Sequence, residues 1–486
     1  MYHKASKRKE SIRRIGIYIF MVLSVVVIVT LITLFMLGYR VESGNIKQYA
    51  LLQFGSNPSG ATVEIDGEII SSKTPNKTSI SPGKHEIVMW RDGYETWRKS
   101  IDIRSGTLTW LNYAILVPKD LSVESVVNYD SIHASLASPD GKEMLIQKKH
   151  ELPIFEFIDL SSDKVKSKTL TIPVEFYSDA NIIGKSHSFT IKKWDDAERY
   201  VLINHIFDDK NEWLVLDTQN IKLTKNITAL FDINISDIVF SGSGGNLFYA
   251  LVDNDIRKLD LSAGTITKPI ASNVKSFNIY NHSKVLTYVG IKDKYNNITV
   301  GLYVEGDEKP SVIKTISNTN NLPIHISTTR YFNENYVAIA VGKKVEILSG
   351  SYPEPIDDKT HGLLTIASFE TSKNINELSF NPSGEYVFVQ SDAYFASYDL
   401  EYKKFASSNI EESPIVKSLN WLDNNYIWSD VGGKLTIREF DGSNIHTINS
   451  VLIGQDATLT SNRRFLYSIN RIDSIYQLQR VRMILS

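Results

Sequence analysis

A repeated pattern of strand, turn and strand fills the C-terminal three quarters of the chain and restricts its fold more than any other feature. In each copy an apolar segment leads into a short polar turn and a second apolar segment. The clearest copy covers residues 134–146 around the turn Ser138-Pro139-Asp140-Gly141. Two further clear copies cover residues 238–249 and 378–389. Five weaker copies turn at Trp194, Asn281, Asn333, Asp423 and Ser461.

The spacing of these eight turns predicts the architecture. They begin about 46 residues apart on average, and a four-stranded propeller blade takes about 40–50 residues. Two copies also show a clear second strand pair, at residues 257–261 with 265–267 and at residues 434–438 with 445–448. Because one blade cannot bury both of its faces, neighbouring blades must stack and the ring must close.

We therefore predict an all-β fold with an eight-bladed β-propeller over residues 121–486. Seven blades are the alternative if the first or second unit is split. A run of β-sandwiches is the competing architecture, because its strands recur at similar intervals. The Ser-Pro-Asp-Gly turn resembles the repeats of TolB-like and WD-repeat-like propellers, although the Gly-His and Trp-Asp pair of WD repeats does not occur at its usual spacing.

A smaller region with period-two patterning, residues 51–118, precedes the repeats. Residues 61–65 alternate as a strand before the hairpin signal Asp66-Gly67, and further strands are expected at residues 86–90, 96–103 and 108–117. The order Pro-Ser-Gly-Ala-x-Val-x-Ile-Asp-Gly, Thr-Pro, Pro-Gly-x-His-x-Ile, Gly-Tyr resembles a PEGA domain. Ser71-Ser72-Lys73 replaces the glycine usual before Thr-Pro. The resemblance implies a small interaction module of surface and envelope proteins, without catalytic residues.

Residues 15–38, which begin with Ile15 and end with Gly38, carry no charge. As a helix of about 36 Å this segment can cross the ~30 Å hydrocarbon core of a bilayer. It is too long for a signal peptide and lacks an Ala-x-Ala cleavage site. We predict a transmembrane helix in contact with lipid, with Tyr18 and Tyr39 near its two ends.

The first fourteen residues hold six basic side chains and one acidic side chain, whereas the whole chain has a net charge of −2. By the positive-inside rule, residues 1–14 are a cytoplasmic tail and the C-terminal domains are extracellular. Residues 39–50 are predicted to be a stalk. The acidic remainder lacks a basic stripe, which argues against nucleic acid as a partner.

Sequence motifs for catalysis or cofactor binding are missing. The chain has no cysteine, which excludes disulfides, iron–sulfur clusters and thiolate zinc sites. Gly-x-Ser-x-Gly is absent, Gly184-Lys185-Ser186 lacks the first glycine of a P-loop, and His150-Glu151 lacks the second histidine of a zincin. The segment 208–212 lacks the glycine of a calcium loop. We predict no catalytic, cofactor or metal residues, and surface or hydrogen-bonded roles for the ten scattered histidines.

Trp90, Trp97 and Trp110 are weak candidates for ligand binding. These tryptophans are concentrated in the small domain, where a shared face could form a sugar-stacking platform. Core packing is the alternative for the same residues. In the propeller, the segment 349–362 and the loop near His150 are candidate ligand-facing loops.

Three functions remain open. We expect a single-pass protein of the cell membrane and envelope whose extracellular β domains bind a protein or a cell-wall glycan, without enzyme activity. A sensory ectodomain is one alternative, and it would need a partner helix because the cytoplasmic tail is so short. A propeller hydrolase or lyase acting on envelope carbohydrate is another, and it would need two facing carboxylates about 5–9 Å apart.

Overall fold

The computed structural model describes residues 3–42, 44–178, 186–208, 210–280, 284–317, 320–353, 362–410 and 419–485. The chain divides into two compact units, Met1–Asp120 with Ile484–Ser486, and Leu121–Met483. The last three residues therefore group with the first unit, which corrects the predicted end of the propeller at residue 486. The backbone N–H of Leu485 donates to the Tyr94 hydroxyl at 2.7 Å.

The first unit begins with helix α1 (His3–Met36). Within it, Ile12–Met36 is long and apolar enough to cross a membrane. The helix ends two residues before the predicted limit, and Gly38 follows with a φ of +83°, the left-handed conformation that glycine favours after a helix. The segment predicted as a stalk is a hairpin of β1 (Tyr39–Glu42) and β2 (Asn45–Gln48).

Seven strands form the small β domain: β3 (Ala50–Asn57), β4 (Thr62–Ile65), β5 (Glu68–Ile69), β6 (Asn76–Ile80), β7 (Gly83–Trp90), β8 (Trp97–Ile103) and β9 (Leu108–Ile115). They make one sheet in the order β5-β4-β7-β8 and a second in the order β6-β3-β9. The Asp66-Gly67 hairpin between β4 and β5 and the strands expected from the sequence are confirmed. The strand β6 was not among the strands expected from the sequence. Leu52, Phe54 and Val63 are fully buried in the domain core.

Within the described residues, the second unit contains eight four-stranded antiparallel sheets, which we call blades 1 to 8. Blade 1 has β11 (Ala134–Ala137), β12 (Glu143–Gln147), β13 (Ile154–Asp159) and β14 (Lys166–Thr171). Blade 2 has β15 (His187–Trp194), β16 (Tyr200–Phe207), β17 (Lys210–Asp217) and β18 (Lys225–Asn226). Blade 3 has β19 (Ile235–Phe240), β20 (Leu247–Val252), β21 (Asp255–Asp260) and β22 (Thr265–Ile266). Blade 4 has β23 (Val274–Tyr280), β24 (Val285–Gly290), β25 (Asn297–Val304) and β26 (Ser311–Ser317).

The remaining blades follow the same pattern. Blade 5 has β27 (Ile324–Tyr331), β28 (Glu334–Val341), β29 (Lys344–Gly350) and β30 (Leu363–Glu370). Blade 6 has β31 (Glu377–Phe380), β32 (Tyr386–Ser391), β33 (Tyr394–Asp399) and β34 (Lys404–Asn409). Blade 7 has β35 (Asn420–Trp421), β36 (Tyr426–Ser429), β37 (Lys434–Glu439) and β38 (His446–Ser450). Blade 8 joins β39 (Thr458–Leu459), β40 (Phe465–Ile472) and β41 (Ile475–Arg482) to β10 (Val123–Tyr129). A short helix, α2 (Ile227–Phe231), follows β18.

Ring closure comes from blade 8, in which the first propeller strand in the sequence, β10, pairs with the last, β41. Arg480 strengthens this pairing with two hydrogen bonds to Glu124, at 2.8 and 3.0 Å. Blade 8 also packs on blade 1, where Tyr467 and Met144 share one apolar core. The sheets therefore form a closed eight-bladed β-propeller, and the seven-bladed alternative is wrong.

Each described interface between neighbouring blades has its own stabilising contacts. Besides the interface between blades 8 and 1, six interfaces are apolar. From blades 1 and 2 to blades 6 and 7, each has one of these pairs of side chains in a shared core: Leu145 and Leu214, Val215 and Phe248, Tyr249 and Leu286, Val300 and Val337, Ile347 and Val387, Phe388 and Ile427. Blades 7 and 8 are joined by polar contacts, in which Arg463 donates to Asp423 at 2.8 Å and Asn449 donates to Ser468 at 3.0 Å. Every blade can thus bury both faces, as the repeat pattern requires.

Candidate functional site

Antiparallel strands place alternate connections at opposite ends of each blade, which gives the propeller two faces. The upper face carries the connections between second and third strands and those between blades. The lower face carries the connections between first and second strands and between third and fourth strands. Seven of the eight turns found in the sequence are described first-to-second connections and belong to the lower face. The turn at residues 281–283 lies outside the described residues.

A cleft of about 570 Å³ opens on the upper face of blade 1. It is formed by the segment leading into β11 and by the connection between β12 and β13, and its lining residues are Ile132, His133, Lys148, Lys149, His150, Glu151 and Leu152. This volume is in the range usual for ligand sites. The cleft includes the loop near His150 that the sequence singled out.

A hollow of about 320 Å³ adjoins the cleft and shares Lys148, Lys149 and Leu152 with it. Tyr129, at the end of β10, lines this hollow and is only 7% exposed. Its buried hydroxyl has no hydrogen-bond partner among the described residues. Burial and the nearby Glu156 charge raise the pKa of Tyr129, so the hydroxyl stays neutral.

The two lysines of the cleft differ in their surroundings. Lys148 donates to Glu156 at 2.9 Å and lies 5.6 Å from the centre of the Tyr129 ring. Lys149 is exposed, and its ammonium group has no hydrogen bond or ion pair to the described part of the chain. Lys148 therefore shapes the wall of the cleft, while Lys149 can pair with a ligand.

Two histidines form another wall of the cleft. The rings of His133 and His150 are 4.8 Å apart and tilted by 38°. Hydrogen bonds to their backbone carbonyls hold both in place, because His150 accepts from the Phe189 N–H of blade 2 at 2.7 Å and His133 accepts at 3.1 Å from the side chain of Gln455, on the connection that leads into blade 8. Three blades thus fix the cleft walls before any ligand binds.

A second polar cluster lies on the upper face of blade 2. The buried Glu212 accepts from Ser178 at 2.6 Å and pairs with Nδ1 of the buried His205 at 2.8 Å, and Nε2 of His205 contacts His187 at 3.0 Å. Burial tends to raise the pKa of Glu212, but the hydrogen bonds from His205 and Ser178 outweigh it and lower the pKa to about 2. His205 is therefore a hydrogen-bonded histidine, as predicted.

Carboxyl groups with raised pKa values lie on the lower face. Burial, followed by the charges of neighbouring carboxylates, raises the pKa of Glu143, Glu198 and Glu385 to about 7. Glu198 accepts a hydrogen bond from the backbone N–H of Asp140 at 2.8 Å and so ties blade 2 to blade 1. These carboxyl groups stand at the opposite end of the blades from the cleft.

The three tryptophans do not share one surface. Trp97 is 1% exposed and packs in the core of the small domain, with its ring 6.2 Å from that of Tyr113. Trp90 is half-buried on β7 and Trp110 is 38% exposed on β9, a strand of the other sheet. The proposed stacking platform is therefore wrong, and core packing explains Trp97.

Other sequence predictions have mixed outcomes. In the segment 208–212, Lys210 of β17 pairs with Phe207 of β16, and residue 209 lies outside the described residues. Gly184 and Lys185, and most of the segment 349–362, lie outside the described residues. Within the part of the chain that is described, no group of three or more histidine, aspartate or glutamate side chains could hold a metal ion.

Sequence reasoning missed Tyr129, His133 and the two lysines of the cleft. These residues lie on two connections separated by a strand pair, so no motif joins them. The available signal was the run Lys148-Lys149-His150-Glu151, four polar residues directly after a buried strand. Ring closure, which positions Tyr129, leaves no local trace in the sequence.

Comparison with known proteins supports the domain assignment. Residues 50–117 match the PEGA domain family, which confirms the resemblance. No curated protein matches the chain.

Solved structures similar to this chain include β-propeller-like proteins, at low identity. Dihydro-heme d1 dehydrogenase NirN is 11% identical, over 82% of this chain and 75% of that one, with a TM-score of 0.43. Hsv2 of Kluyveromyces lactis is 12% identical, over 73% and 98%, with a TM-score of 0.39. A chain of the yeast Nup82-Nup159-Nup116 nucleoporin complex is 9% identical, over 66% and 97%, with a TM-score of 0.42. The propeller assignment rests on the eight sheets themselves.

Proposed function

We propose that this protein is anchored in the cell membrane by one helix and binds an acidic cell-wall glycan in the upper-face cleft, without catalysing a reaction. The observation that carries the proposal is the cleft itself, where the exposed Lys149 has no ion pair with the described part of the chain and stands beside two histidines. The small β domain and the propeller lie outside the cell, and the N-terminus lies in the cytoplasm.

Membrane anchoring is supported by α1. Its span Ile12–Met36 can cross a bilayer, and the basic residues of positions 1–14 precede it. Basic side chains are retained on the cytoplasmic side of a first membrane helix. A single cysteine introduced by Ile69→Cys, at a position 64% exposed, should react with an impermeant maleimide on intact cells.

An acidic ligand is supported by the charges of the cleft. Lys149 offers a cation that has no ion pair among the described residues, and the His133 and His150 rings can donate or accept hydrogen bonds. Carboxylate or phosphate groups of a polymer would pair with Lys149. Sugar hydroxyls would reach Glu151.

A glycan fits the cleft better than a protein partner does. Protein interfaces bury an apolar centre that is depleted in charge, whereas five of the seven cleft residues are charged or are histidines. Binding is favoured over catalysis because Glu151 is the one carboxylate among these lining residues, and Glu143, Glu198 and Glu385, whose pKa values are raised to about 7, lie on the lower face.

The test uses the full chain in lipid nanodiscs, with titration calorimetry against oligomers of alginate, of polyphosphate and of neutral dextran. We expect alginate or polyphosphate to bind and dextran not to bind, which also distinguishes a carboxylate from a phosphate ligand. Lys149→Gln should weaken binding about ten- to a hundredfold, because a hydrogen bond to a charged group contributes about 1.5–3 kcal/mol.

Lys294→Gln is the matched control. Lys294 is also exposed on a second-to-third strand connection, in blade 4. Equal weakening by both substitutions would show general charge attraction and would overturn the cleft as the binding site. Saturable binding of a purified envelope protein, with no binding of any oligomer, would overturn the glycan proposal in favour of protein docking.

A further inference from the structure

The hairpin formed by β1 and β2, which we call the juxtamembrane hairpin, presents an apolar pair to solvent. Val41 and Ile46 are directly opposite each other across the two strands and therefore point to the same side. They are 76% and 70% exposed. Apolar side chains at this level of exposure, paired on one face, indicate a surface that another apolar phase covers.

The hairpin is held at the end of α1. The Gln48 side chain donates to the carbonyl of Leu37 at 3.1 Å, and the backbone N–H of Tyr49 donates to the carbonyl of Gly38 at 2.9 Å. The first bond satisfies one of the carbonyls that a helix leaves unpaired at its end. These bonds keep the hairpin from moving far from the last turn of the helix.

The opposite face of the hairpin is occupied within the same unit. Arg40, which points away from Val41, donates to the Ser79 hydroxyl of β6 at 2.7 Å and lies 5.5 Å from the centre of the Tyr49 ring. This contact fixes which side of the hairpin faces the small β domain. The side with Val41 and Ile46 therefore faces away from β6.

The position of the helix in a bilayer locates this apolar side. Residues 15–36 span about 33 Å as a helix, which matches the ~30 Å hydrocarbon core, so Met36 lies at its edge. Val41 is five residues beyond Met36 and thus at most about 18 Å further along the chain, while the bonds to Leu37 and Gly38 keep the base of the hairpin beside the helix end. The polar layer outside the core is about 5–7 Å thick on each side, so the hairpin begins at the boundary between lipid and water and Val41 is within reach of it.

We propose that the juxtamembrane hairpin inserts Val41 and Ile46 into the outer interface of the same membrane that α1 crosses. The partner is the lipid surface, and the inference rests on the membrane anchoring in the proposed function. The hairpin then acts as a second contact with the bilayer and restricts the tilt of the small β domain that follows it.

The test uses the absence of cysteine, which allows single nitroxide labels without a background. The full chain carrying Ile46→Cys, Val41→Cys, Leu23→Cys or Ile69→Cys is labelled and placed in phosphatidylcholine nanodiscs. Collisions with oxygen, which concentrates in lipid, are compared with collisions with a water-soluble nickel chelate. Labels at positions 41, 46 and 23 should collide more with oxygen, whereas the label at Ile69, on the β4–β5 hairpin, should collide more with nickel.

The possible failures can be told apart. If the label at position 23 collides more with oxygen while the labels at 41 and 46 behave like the label at 69, the hairpin proposal is overturned and the membrane anchoring is retained. If the label at position 23 also collides more with the nickel chelate, both the hairpin proposal and the membrane anchoring are overturned. All labelled positions are exposed, and unchanged near-ultraviolet circular dichroism of each variant establishes that the fold is retained.

Discussion

Closure of the ring through blade 8 makes a quantitative prediction at Leu478. This residue of β41 is fully buried and belongs to the core that blade 8 shares with blade 1. Leu478→Ala removes three carbon groups, or about 2.4 kcal/mol at ~0.8 kcal/mol each, and the cavity adds to this loss. We expect a loss of about 3–5 kcal/mol in the free energy of unfolding.

The assay combines urea unfolding of the full chain in detergent with hydrogen exchange resolved by peptide. If the ring is closed, the loss of stability caused by Leu478→Ala should also be measured in blade 4, on the other side of the propeller. The most protected amides of β24 should then exchange at least about a hundredfold faster than in the unsubstituted protein. Ile475→Ala on the same strand is the control, because Ile475 is 47% exposed and should cost less than about 1 kcal/mol. Faster exchange confined to blade 8, or equal losses for both variants, would refute the closure argument.

Three further substitutions test the carboxyl groups and the small domain. The folded-state pKa of Glu385 is raised to about 7, so the folded state loses stability relative to the unfolded state as the pH rises from about 4.5 to 7. Glu385→Gln should therefore stabilise the protein by about 1–3 kcal/mol at pH 8 and by much less at pH 4. The pKa of Glu212 is lowered to about 2, so the Glu212 carboxylate stabilises the folded state above about pH 4.5, and this stabilisation is lost towards pH 2. Glu212→Gln should therefore destabilise the protein at pH 7 and make its stability fall less steeply with decreasing pH. Melting temperatures across pH measure both effects, and a pH-independent change in either variant would contradict the assigned cause. Trp97→Ala should cost the small domain about 3–5 kcal/mol and Trp110→Ala less than about 1 kcal/mol, which urea unfolding would show; equal losses would contradict the placement of Trp97 in the core.

Local sequence signals predicted the blades well because each one depends on a turn. Ser138 shows why, since its hydroxyl accepts from the Glu143 N–H at 3.0 Å and donates to Asp140 at 2.9 Å, which fixes the turn from within five residues. Asn381 does the same in blade 6, where its side chain accepts from the Tyr386 N–H at 2.8 Å. Such short-range hydrogen bonds are visible in the sequence as Ser, Asn, Asp and Gly at fixed offsets.

The candidate site could not be predicted in the same way. Tyr129 and Lys148 meet because β10 is the fourth strand of blade 8, which completes the ring beside blade 1. The sequence marked the three tryptophans by their residue type alone, and their burial depends on which sheet and which side each one occupies. The juxtamembrane hairpin was also missed, since its four-residue strands carry too few residues for a clear period-two pattern.

The sequence by itself determined the long apolar N-terminal helix, the PEGA domain and a propeller of seven or eight blades. These features depend on length, charge and turn chemistry within about fifty residues, so each can be recognised without its neighbours. Only the tertiary structure decided which strand closes the ring, which carboxyl groups are buried beside one another, and which polar side chains meet in the cleft. Ring closure depends on contacts between residues more than three hundred positions apart, such as Glu124 and Arg480. The physical cause of all three outcomes is that each blade must bury its faces against neighbours that the local sequence does not specify.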